Sequence, residues 1–152
     1  METIQNLEKE TVNGLQSLCK LCHDSSEGYR TAAESIDHAQ MREAFLSVAD
    51  KRRVARDELA GMLGTSHESI PKGGTALGKV HRWWIDIRGS LNGGNEEVVL
   101  IEAIRGERTI EDEYEDVLKK TMGSPANATL HAQLEGVKSS RKTLESLKEL
   151  SD

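Results

Sequence analysis

Residues 106–120 read GERTIEDEYEDVLKK. Nothing after Gly106 interrupts a helix, so the acidic residues can be sorted by where a helix would point them. Placed at about 100° per residue, Ile110, Tyr114, Val117 and Leu118 fall on one stripe, which Val99 and Ala103 extend toward the N-terminus. Asp112, Glu113, Glu115 and Asp116 fall on the opposite side, as a solvated face does. Glu107 sits in the centre of the stripe and Glu111 at its edge. One carboxylate is thereby expected to face the interior of a helical protein, where an unpaired charge is costly.

The same exercise extends to the rest of the chain. Long helices are expected over 3–36, 38–63, 96–121 and 125–150, with a short one over 75–91. Asp37, with Gln40 three residues on, reads as the N-cap of the second helix. Asn95 reads as the cap of the helix that holds Glu107. Ser124 before Pro125 reads as the start of the last helix. GTSHESIPKGG and NGG read as breaks. The apolar stripes are Ile4, Leu15, Cys22, Tyr29 and Ala33 on the first helix, with Leu18 and Cys19 at the edges. On the second they are Met41, Phe45, Val48, Ala49, Ala55, Leu59 and Leu63. Arg52 falls in the middle of that second stripe, so a buried cation is expected opposite the buried carboxylate. On the last helix Leu130, Leu134, Val137, Leu144 and Leu147 form the seam, flanked by Gln133 and Arg141, with Glu135 and Lys138 off it. In the short segment Leu77, Val80, Trp84, Ile87 and Leu91 share one side.

Composition fits an all-α protein of one domain over 1–152. Hydrophobic residues are 36% of the 152, charged residues 30% and aromatics 3%. The core must therefore come from Leu, Ile, Val and Ala, and two prolines leave long stretches free to be helical. The net charge of −6 without a dominant basic patch argues against nucleic acid as a partner. No apolar run approaches a membrane span, and the first residues lack the basic and apolar regions of an export signal. A cytoplasmic location, where thiols stay reduced, is expected.

CKLCH (19–23) matches the attachment pattern of c-type haem. Covalent haem belongs on exported chains, and Cys22 falls near the centre of the buried face while His23 turns about 100° away. The two cysteines read as small core residues. A zinc site lacks a second Cys/His pair, and a thiol redox site lacks an evident cation to activate Cys22.

Three motifs, GYRTAAE (28–34), TALGKVHRWW (75–84) and GERTIEDEY (106–114), give the chain its resemblance to a family. It resembles an uncharacterised bacterial family of ferritin-like four-helix-bundle proteins, classed as a domain of unknown function, over most of residues 3–121. Gly-Glu followed seven residues later by Tyr is similar to the third bundle helix of rubrerythrins. The resemblance implies a ferritin-like bundle with an additional short helix in the crossover connection. In that superfamily two metal ions lie between the four long helices, held by a Glu from each of two helices and a Glu-x-x-His from each of the other two. Carried onto this sequence, those positions fall on Cys22, on Arg52 and Ala55, on Glu107 and Ile110, and on Glu135 and Lys138. That set departs from a di-iron or di-manganese centre.

The expected site is therefore the remains of a metal site: a buried polar network of Cys22, Tyr29, Arg52, Glu107, Tyr114 and Arg141. In it Arg52 pairs with Glu107, and Tyr114 or Arg141 completes the network. No cofactor is expected. The competing expectation is an iron- or manganese-binding protein or oxidase, recruiting Glu27, Glu107, Glu111 and Glu135. The function expected first is a non-catalytic structural or stress-associated homodimer or higher homo-oligomer, with His81, Trp83 and Trp84 at the subunit contact.

Overall fold

The computed structural model describes residues 1–71, 84, 85, 87, 89, 91 and 94–151. Four long helices carry the fold: α1 (Lys9–Ala33), α2 (Ala39–Thr65), α3 (Glu96–Lys120) and α4 (Asn127–Ser151). Among the described residues there is no strand; Thr3 and Asn6 form an isolated bridge.

Local chemistry sets the ends of these helices. Asn95 caps α3, its side chain accepting from the Val98 amide at 3.1 Å. Glu96 and Glu97 in its first turn and Lys119 and Lys120 in its last complement the helix dipole. At α2 the cap is His38, whose Nδ1 accepts from the Met41 amide at 3.2 Å, and not the expected Asp37. Asp37 is drawn off because its amide donates to the Glu96 carboxylate at the start of α3. α1 begins at Lys9, six residues later than expected from residue 3. The chain ahead of it turns instead: the Leu7 amide donates to Ser66 Oγ at 3.0 Å and the Glu8 amide to the Glu2 carboxylate. Ser124 does open the last helix locally, its hydroxyl accepting from the Ala126 amide at 3.2 Å, and regular helix follows from Asn127.

The tertiary arrangement follows from which ends meet. Glu96 at the start of α3 touches the turn between α1 and α2, whereas Ser66 just past α2 touches Leu7 just before α1. The end of α2 and the start of α3 therefore lie at opposite ends of the bundle. α1 packs on α2 and on α3, and α4 packs on α3 and on α2. The result is two short-turn hairpins joined by one long crossover, in an up-down-down-up order.

The core runs along the axis, with Leu15, Phe45, Leu59, Leu63, Leu130 and Leu144 fully enclosed. Tyr29 is edge-on to both Phe45 and Trp84, each ring centroid 5.1 Å away. Trp84 is only 4% exposed, so it belongs to the interior and not to the subunit contact expected for it. An indole lying against α1 is buried by its own chain. His81 and Trp83 lie outside the described residues, as does most of the short helix expected over 75–91. Among the described residues no helix is long and apolar enough to cross a membrane.

Candidate functional site

Midway along the bundle the two buried charges meet. Arg52 from α2 and Glu107 from α3 are 2% and 0% exposed. The pairing is bidentate: Nη1 donates to Oε2 at 3.0 Å and Nη2 donates to Oε1. Nη1 also donates to Ser25 Oγ at 3.0 Å, and the Tyr29 hydroxyl donates to Glu107 Oε2 at 2.7 Å. Glu107 thus accepts three hydrogen bonds, which is how a carboxylate tolerates enclosure. Burial by itself would lower the Arg52 pKa; the Glu107 charge overrides it and holds the guanidinium charged. Burial, then the same carboxylate, push the Tyr29 phenol well above its usual value, so it stays a donor.

A second chain of hydrogen bonds crosses the bundle next to the first and engages all four helices. Cys22 Sγ lies 3.2 Å from the Tyr114 hydroxyl, which donates to Gln133 Oε1 at 2.8 Å. Gln133 Nε2 then donates to the Ala55 carbonyl at 3.2 Å and to Glu58 Oε1 at 3.1 Å. Because Tyr114 spends its proton on Gln133, the thiol is the donor to Tyr114. Burial pushes the Cys22 thiol up to about 11 and raises Tyr114 as well. Cys19 is raised too, mainly by burial. Both cysteines are free and buried, protonated at neutral pH, and the reverse of activated thiols.

Arg141 does not join Glu107. It binds Glu111 through Nε at 2.6 Å and Nη2 at 3.1 Å, and Glu145 through Nη1 at 3.0 Å, nearer the surface between α3 and α4. Two carboxylates close at hand outcompete a third one turn deeper that already has its own arginine. Hydrogen bonds that Arg141 donates to Glu111 and then to Glu145 raise its pKa, and a bond donated by Arg108 is the main cause lowering Glu145.

The carboxylates of the competing metal expectation do not converge. Glu27 is exposed and pairs with Arg30, Glu135 is exposed and pairs with Lys138, and Glu111 is taken by Arg141. Among the described residues no group of three or more His, Cys, Asp or Glu side chains is placed to hold a metal ion. A di-metal centre does not fit the described residues, since a guanidinium lies against the fully enclosed carboxylate of Glu107 where an ion would need it.

Ser25 and Glu58 were not expected in the site. Ser25 carried a faint signal, a polar residue one turn beyond Cys22 on the buried side of α1; Glu58 carried none.

Residues 10–120 match the family described as Domain of unknown function (DUF2383). The chain belongs to that family. No curated protein and no solved structure matches it. The matched span of DUF2383 holds Cys22, Ser25, Tyr29, Arg52, Glu107 and Tyr114, and leaves out α4 with Gln133 and Arg141.

Proposed function

We propose that this DUF2383 protein is a ferritin-like bundle whose metal centre has been replaced by an internal ion pair. On this reading it acts without catalysis, as a structural or stress-associated homo-oligomer in the cytoplasm, with a short helix in its crossover. One observation carries the reading: a guanidinium from α2 binds, in bidentate fashion, the fully enclosed carboxylate of Glu107 on α3. In the ferritin-like superfamily, which the sequence motifs resemble, the equivalent carboxylate would ligate metal. Here the cation is part of the chain, so the charge of the carboxylate is met without iron or manganese. The up-down-down-up order with one long crossover adds support, because ferritin-like folds share that connection.

The test is metal content. Untagged protein would be assayed for iron, manganese and zinc per chain, before and after anaerobic loading with ferrous iron, with a visible spectrum of each sample. The expected outcome is no stoichiometric metal and no chromophore. Two metals per chain would overturn the reading and revive an iron- or manganese-binding protein or oxidase. A Soret band would give CKLCH back to haem.

A further inference from the structure

Between α2 and α4 lies an open cleft of about 260 Å³ that reaches down to the buried network. Its walls are short and apolar, from Val54, Ala132, Gly136 and Val137; Arg52 and Tyr114 line its inner part. The polar groups around it are unequally used. Asp50 is paired with Arg53 at 2.8 Å, and Glu58 accepts from Gln133. A guanidinium has five N–H groups, and Arg52 places three of them on Ser25 and Glu107. Two further N–H groups of Arg52, which lines the cleft, lie outside these bonds. Among the described residues Lys51, on the rim, has no ion-pair partner. Asp50 and Glu58 bring carboxylates to the same cleft, so Lys51 and the inner edge of Arg52 are the cations that a ligand would have to reach.

We infer that the cleft binds a short-chain monocarboxylate. The carboxylate head takes the unspent Arg52 N–H groups and the Lys51 ammonium; the hydrocarbon tail lies on Val54, Ala132 and Val137. Carboxylate on a guanidinium is the stronger kind of hydrogen bond, and small apolar walls with a few convergent polar groups are what a ligand site requires. Glu58 opposes the head and limits affinity. This site is independent of the metal question.

The probes are butyrate and, as its charge-reversed counterpart, butylammonium, titrated into isotope-labelled full-length protein and followed by amide chemical shifts. Butyrate is expected to move the amides of residues 50–58 and 132–137 saturably, and butylammonium is not. Glu58→Gln should tighten butyrate severalfold, and Lys51→Glu should weaken it by about tenfold. A Cβ added at Gly136 meets nothing within 4 Å, so Gly136→Leu is expected to add its bulk at the cleft wall and abolish the response, with folding checked on the same amide spectrum. Gly61→Leu, equally unobstructed and outside the cleft, is the control and should leave it intact. No saturable shift with butyrate, an equal response to butylammonium, or a response that survives in folded Gly136→Leu would each overturn the inference.

Discussion

Glu107 is enclosed completely and accepts from Arg52 twice and from Tyr29 once. Its value to the protein is best separated by paired substitutions. Glu107→Gln leaves a buried guanidinium with half its partner, and unfolding in denaturant should show a loss on the order of 3–5 kcal/mol. Arg52→Met combined with Glu107→Leu should lose much less than either single change, because it removes both charges together. An unchanged midpoint for Glu107→Gln would mean that the pair holds nothing in place. Cys22 makes a prediction of opposite chemistry. Its thiol is held up to about 11, so above pH 9 the unfolded chain gives up a proton that the folded one keeps. Stability then falls as pH rises, by up to ~2–3 kcal/mol near pH 11. Cys22→Ala should flatten that alkaline slope in melts run between pH 8 and 11, and an identical slope would show that the thiol titrates alike in both states.

At the scale of the helix, legibility depended on how local the cause was. Asn95 could be read because its cap bond spans three residues. Asp37 could not, because what claims its amide is Glu96, 59 residues on. The start of α1 failed for the same reason, its preceding turn being held by Ser66. Arg52 and Glu107 were legible as inward charges, since helix period alone turns them in; Arg141 was not, because its choice of Glu111 depends on the register of α4 against α3. The end of α2 shows a feature hidden from sequence. The Glu68 amide bonds the Leu63 carbonyl at 2.9 Å and the His67 amide bonds Gly64 at 3.0 Å, the two bonds of a Schellman motif. Its left-handed position holds His67, with φ 59°, where glycine is the usual residue. His67→Gly should raise stability by about 1 kcal/mol or less, the steric relief being partly offset by unfolded-state entropy. A thermal melt checks it, and a lowered melting temperature would mean that the imidazole makes a contact worth more than its backbone strain.

At the scale of the molecule, the four-helix plan was legible from stripe and punctuation, while what joins the crossover to the bundle was not. That junction rests on Gly28. A Cβ built there would stand 2.1 Å from Cε2 of Trp84 and 2.4 Å from two further indole atoms. The obstacle is the body of a buried ring, with no flexible end to swing aside, so the indole lies directly on the α1 backbone. Trp84 in turn packs edge-on against Tyr29, whose hydroxyl holds Glu107. The crossover is thereby linked to the central ion pair through one aromatic contact and one hydrogen bond. Gly28→Ala is expected to displace Trp84 and lower stability by about 1–3 kcal/mol or more, as overpacking does. In a Trp83→Phe background the remaining tryptophan emission should shift to the red as the indole meets water. If Tyr29 is also disturbed, the loss on adding Glu107→Gln should be smaller in Gly28→Ala than in the parent, because the two changes then act on one network. Unshifted emission with unchanged stability would place the indole away from α1, and full additivity with Glu107→Gln would confine the effect of Gly28 to the crossover.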